Sequence, residues 1–158
     1  MKKIVVTFLL LFITVYSYSQ TTGFSLLKGK LVWENVYISK EPNVAALIAR
    51  NSRLKITSVN GSLYKGTGTG LNKVCAGTSK VLSGGYNFNF EIELSQAKYR
   101  VTLSFISFNK GKKKLLAESH FLEKGKLKQT KEAKADMECM EEYLAKIFGQ
   151  VSVYKNRS

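Results

Sequence analysis

Few residues in this chain are of types that do chemistry. There is one histidine, His120, and there are two cysteines, Cys75 and Cys139. A catalytic histidine needs a nucleophile or a carboxylate held beside it. Glu118 and Ser119 adjoin His120 in sequence, but on a strand Glu118 shares its face while Ser119 points away. His120 is therefore expected at a surface or sheet edge. A zinc-type site needs more ligands than one histidine and two distant cysteines offer, so no metal centre and no cofactor is expected. KGTGTG, Lys65 to Gly70, has glycines like those of a phosphate-cradling loop but lacks the terminal Gly-Lys-Ser/Thr, and no helical pattern follows it. It reads as a flexible hairpin end.

Two carboxylates stand closer to a catalytic pattern. In YNFNFEIEL, Tyr86 to Leu94, every second residue is apolar, and Asn87, Asn89, Glu91 and Glu93 lie between them. Strand rise puts Glu91 and Glu93 about 6 to 7 Å apart on one face, near the spacing of paired glycosidase carboxylates. No cleft is evident around them, and no catalytic residue is expected. The polar face of this strand and the next, comprising Asn87, Asn89, Glu91, Glu93, Arg100, Thr102 and Ser104, is a candidate ligand face; its bland counterpart is a face that meets water.

Charge is the other feature that could act. The formal net charge is +14. Between Lys110 and Lys134 nine lysines face three glutamates. Lys110, Lys112, Lys113, Lys114, Lys124, Lys126 and Lys128 are candidates for contact with an anionic lipid or glycan, each contributing on the order of 1 kcal/mol near such a surface, screened by salt. A solubilising surface would look the same in sequence.

The opening MKKIVVTFLLLFITVYSYSQ has a positive Lys2-Lys3 pair, a short apolar run and small residues Ser17 and Ser19 before Gln20. These are the parts of a secretory signal peptide over residues 1–19. The run is short for a membrane span, which needs about 20 apolar residues, and no later segment is apolar enough, so no transmembrane segment is expected after cleavage. The expected address is periplasmic or extracellular. Export makes intracellular nucleic acid an unexpected partner. In an oxidising compartment Cys75 and Cys139 can pair; they can equally be two separate small apolar residues.

Residues 20–29 read as a polar lead-in, 30–149 as one domain and 150–158 as a tail. LVWENVYI, Leu31 to Ile38, is a strand pattern. A short helix follows, with Pro42 in its first turn and an end near Asn51. Asn60-Gly61 marks a hairpin between strands near Leu54–Val59 and Ser62–Thr67. Gly68 to Gly85 is loop-like, with a short strand at Lys73–Ala76. Tyr86–Leu94 turns through Ser95-Gln96-Ala97-Lys98 into Tyr99–Phe108, with Leu94 opposite Tyr99, Ile92 opposite Val101, Phe90 opposite Leu103 and Phe88 opposite Phe105. On the other face Glu93 meets Arg100, Glu91 meets Thr102 and Asn89 meets Ser104. Apolar Ile106 and Phe108 then break the alternation, which a bulge or a covered sheet end explains. NKGKKK is a turn, LLAESHFLEKG one further strand, and Lys131 to Phe148 an amphipathic helix stopped by Gly149. An antiparallel sheet with one apolar face needs a covering layer. The two helices supply it, giving an α+β fold of two layers.

This order resembles a family of secreted bacterial domains of unknown function with a TATA-binding-protein-like fold. The resemblance rests on LVWENVYI, on VAALIAR, and on NFEIELSQAKYRVTLSF with Lys98-Tyr99-Arg100 leading its second strand. It spans roughly Lys30 to Asn109. It implies a single curved antiparallel sheet with two helices packed on one face, and no catalytic residue. It brings no DNA binding, since Glu91 and Glu93 on the open face would repel phosphate. The expected function is that of a secreted, non-enzymatic binding or structural module of the cell envelope. The alternative is a glycan- or peptide-directed enzyme or enzyme inhibitor that uses the open polar sheet face.

Overall fold

The structure, a computed structural model, describes residues 23–149. The expected signal peptide and C-terminal tail lie outside the described residues. Strands β1 (Phe24–Leu27), β2 (Lys30–Ile38), β3 (Leu54–Asn60), β4 (Leu63–Leu71), β5 (Tyr86–Ser95) and β6 (Lys98–Lys110) form one antiparallel sheet in the order β1-β2-β6-β5-β4-β3. Strand β7 (Lys113–Leu116) pairs with the far end of β6. Among the described residues four helices accompany the sheet: α1 (Val44–Ala49), α2 (Lys80–Ser83), α3 (Ala117–Phe121) and α4 (Lys131–Gly149). A two-stranded hairpin, β8 (Leu122–Glu123) with β9 (Lys126–Leu127), links α3 to α4. The α+β class and the two expected helices are present; α2 and α3 are two further short ones.

The alternation in β5 does what its pattern demands. Tyr86, Phe88, Phe90 and Ile92 are buried, while Asn89, Glu91 and Glu93 are exposed. The β5–β6 register is the expected one from Leu94↔Tyr99 to Asn89↔Ser104. Helix α4 lies over the apolar face. The Phe148 ring packs against Trp33, Phe88 and Phe90 at centroid distances of 6.1, 6.4 and 6.0 Å. The Tyr99 hydroxyl donates to the Phe148 carbonyl at 2.5 Å, and the Trp33 indole N–H donates to Glu141 Oε2 at 2.5 Å. These polar contacts fix how the helix lies on the sheet, since aromatic packing alone is less directional.

Several expectations need correction. The lead-in contributes β1, because Leu27-Lys28-Gly29-Lys30 makes a tight hairpin with φ of +50° and +75° at its two central residues, as a type I′ turn requires. Glu123-Lys124-Gly125-Lys126 repeats this turn, with φ of +50° and +74°. Helix α1 begins after Asn43, whose Oδ1 accepts from Ala46 N–H at 2.9 Å, so Pro42 precedes the cap and is not in the first turn. Lys73–Ala76 is not a strand. LLAESHFLEKG is not one strand: it divides between β7, α3 and β8. KGTGTG is the interior of β4, not a flexible end. There Gly66 and Gly68 stand opposite Phe90 and Phe88. A Cβ at either would meet the opposing ring at 2.2 or 2.5 Å, so the missing side chains make room for the aromatic core.

The expected pairing of Phe88 with Phe105 also fails. The β5–β6 register shifts between Asn87 and Asn89, leaving Phe105 and Ile106 together opposite Phe88. Phe105 takes φ +53° and is 69% exposed, whereas Ile106 and Phe108 are buried. This bulge is what restores the core phase downstream.

Candidate functional site

The open face of the sheet gathers the candidate ligand residues, and most of its charge is spent internally. Lys65 Nζ meets Glu91 Oε1 at 2.6 Å, with both side chains about half exposed (48% each). Arg100 pairs with Glu93. The Arg100 guanidinium is held above its usual range, first by its hydrogen bond to Glu93, then by the charges of Glu93 and Glu34. Thr102 Oγ1 donates to Glu34 Oε2 at 3.3 Å. Asn87 is structural: its Oδ1 accepts from Gly70 N–H and its Nδ2 donates to Asn109 Oδ1, both at 2.8 Å. Asn89 is exposed and Ser104 half-buried across the ladder from it. The depression beside Arg100 is about 290 Å³ and is lined by Val36, Glu93, Ser95, Lys98 and Arg100. It is open to solvent and lined mostly by exposed polar side chains, unlike the enclosed, mainly apolar pockets that bury most of a small ligand.

The lysines separate into two hairpins. Lys110 stands directly opposite Lys113 in the β6–β7 ladder, Lys112 occupies the turn, and Lys114 faces Asn109. All four are exposed, and among the described residues none of them pairs with a carboxylate. Like charges directly opposite in a ladder are destabilising. The second hairpin differs. Lys126 is opposite Glu123, and Lys128 Nζ donates to the His120 carbonyl at 2.6 Å, at the end of α3. Lys128 is thus committed within the fold, and the concentrated free charge lies at the β6–β7 tip.

His120 is on α3, not at a strand edge, and is mostly buried (17% exposed). Its Nε2 faces Asp136 Oδ2 at 2.8 Å. Asp136 is fully buried and also accepts from Ser79 N–H at Oδ1 and Ser79 Oγ at Oδ2, both at 2.7 Å. Serine, histidine and aspartate therefore meet, but in an order that does not activate the serine. In a hydrolytic triad the imidazole takes the hydroxyl proton and the carboxylate orients the imidazole. Here the carboxylate sits between the other two and the hydroxyl is bound to it. The cluster works as a clamp joining the N-terminal cap of α2, helix α3 and helix α4. A sequence signal for it existed: Asp136 interrupts the buried stripe formed by Ala133, Met137, Met140 and Leu144. Cys75 and Cys139 are joined in a disulfide with Cα atoms 5.9 Å apart, tying the segment before α2 to α4. Among the described residues no group of three or more His, Cys, Asp or Glu is placed to hold a metal ion, and no helix is long and apolar enough to cross a membrane.

No family model and no curated protein matches the chain. Two solved structures do. A DUF4468 family protein from Bacteroides ovatus aligns with a TM-score of 0.53 at 16% identity, over 81% of this chain and 87% of that one. A TBP-like protein from Parabacteroides distasonis aligns with a TM-score of 0.53 at 11% identity, over 78% of this chain and 91% of that one. The chain thus shares its α+β fold with a TBP-like protein and with a protein of a family of unknown function, as the resemblance in its sequence implied.

Proposed function

We propose that this chain is an exported, non-enzymatic binding or structural module of the bacterial cell envelope that holds anionic surfaces through the β6–β7 hairpin. The observation that carries this reading is the set Lys110, Lys112, Lys113 and Lys114, exposed on one hairpin and unpaired among the described residues. A partner supplying negative charge would relieve their mutual repulsion. The signal-like opening and the Cys75–Cys139 disulfide support an oxidising destination outside the cytoplasm.

The alternative, a glycan- or peptide-directed enzyme or inhibitor on the open face, has the depression beside Arg100 in its favour. The pairing of Glu91 with Lys65 and of Glu93 with Arg100 weighs against it, because both carboxylates already serve cations. One comparison separates the readings. Glu91→Gln with Glu93→Gln leaves retention on anionic lipid or glycan intact, whereas Lys112→Gln, Lys113→Gln and Lys114→Gln together weaken it and flatten its salt dependence. Loss of retention in the glutamine pair, with none in the lysine triple variant, would move the function to the open face.

A further inference from the structure

Phe105 is an unusual residue for its position. It has a left-handed backbone, φ +53°, which bulky L-residues avoid and which bulges of this kind ordinarily give to glycine. The residue is 69% exposed and makes no aromatic contact among the described residues. The strain therefore holds an apolar ring in water. Its surroundings show what such a ring could meet. On that side of β6 the ladder to β2 ends at Leu103 and the ladder to β7 begins at Ser107, so Phe105 sits at the gap between them. Ser107 pairs with Leu116, which is itself 52% exposed. From there the same two strands run to the exposed lysines of the hairpin.

An aromatic and an aliphatic side chain exposed along the same two strands that carry a cluster of lysines is the chemistry of a membrane interface: the rings and chains enter the headgroup boundary while ammonium groups meet lipid phosphates. Resting on the anionic-surface reading above, we infer that its surface is an anionic lipid bilayer, into whose interfacial layer Phe105 and Leu116 insert while Lys110, Lys112, Lys113 and Lys114 contact the headgroups. A soluble or carbohydrate polyanion would use the lysines and leave Phe105 idle.

The test compares residues 20–158 on phosphatidylcholine vesicles containing phosphatidylglycerol with the same chain on heparin. Phe105→Asn suits it, because asparagine tolerates the left-handed backbone and the variant keeps the fold. The inference predicts that Phe105→Asn, and to a lesser extent Leu116→Ser, lowers vesicle partitioning, by about tenfold for the phenylalanine. Heparin retention stays unchanged, and the melting temperature of Phe105→Asn is equal to or above that of the parent. Vesicle binding by Phe105→Asn equal to the parent's overturns the inference; if the Lys112, Lys113 and Lys114 glutamine variant then still loses both ligands, the anionic-surface reading stands without it. If that triple variant keeps both ligands, or the parent binds neither, the reading itself falls and the inference with it.

Discussion

Lys110 and Lys113 face each other as direct cross-strand partners in the β6–β7 ladder, with Lys112 in the turn between them. A hairpin selected for stability alone would not place like charges there, since opposite charges at such positions contribute roughly 0.2 to 1 kcal/mol and like charges subtract. Lys113→Glu is expected to raise the stability of the protein by a few tenths of a kcal/mol while lowering its retention on anionic surfaces. Thermal denaturation and vesicle cosedimentation on the same variant check both halves.

Asp136 gives a second expectation. Its carboxyl group is fully buried, accepts two hydrogen bonds from Ser79 and meets His120 Nε2 at 2.8 Å. Asp136→Ala leaves the Ser79 donors and the half-buried His120 ring nitrogen without their partner and is expected to cost about 3 to 5 kcal/mol. A Ser79→Ala variant, which keeps the backbone N–H bond, should cost clearly less. Urea denaturation of the two variants tests the ranking, and equal losses would contradict the clamp.

The Cys75–Cys139 disulfide spans 64 residues of sequence. On the loop-entropy model a bridge of that span stabilises by about 4 kcal/mol. Reduction, or Cys75→Ser with Cys139→Ser, is expected to lower the denaturation midpoint accordingly. Because the bridge ties the segment before α2 to α4, protease cleavage between residues 72 and 79 should be the first to speed up.

Buried tyrosines set the alkaline limit. Burial pushes the Tyr99 hydroxyl up to about 12, and burial likewise raises Tyr37 and Tyr86. The folded state keeps these protons after the unfolded chain has lost them near pH 10. Their contribution is therefore complete below about pH 10 and is lost as pH rises through the folded values. Denaturation midpoints measured from neutral pH to pH 12 should stay level with respect to these groups and then fall. Tyr99→Phe should reduce the fall.

Much of the sheet was legible in the sequence because period-two alternation fixes which residues share a face. Leu94, Ile92 and Phe90 found Tyr99, Val101 and Leu103 across the ladder, and the break after Phe105 announced a bulge. The bulge's effect on Phe105 itself was not legible, since a register shift changes which residue leaves the face, not which residues are apolar. Helix α4 showed its stripe over five turns, whereas α3 has five residues, too few for helical spacing to emerge from the strand-like LLAESHF. The Leu-x-Lys-Gly-Lys-Leu runs at 26–31 and 122–127 build matching turns, but their lysines mask the hairpin signal that Asn-Gly gives more openly. At the candidate sites, composition located the lysines, and only the fold could show that Lys128 is occupied with His120 while Lys110, Lys112, Lys113 and Lys114 are left at a tip.

The exposed lysines of the β6–β7 hairpin are proposed to bind anionic surfaces. Retention of residues 20–158 on anionic lipid and glycan matrices across a salt series tests it most directly. The account predicts strong retention at low salt that falls steeply as salt rises, with the slope reduced when Lys112, Lys113 and Lys114 are replaced by glutamine. Absence of retention at physiological salt, or a slope unchanged by those substitutions, would contradict it.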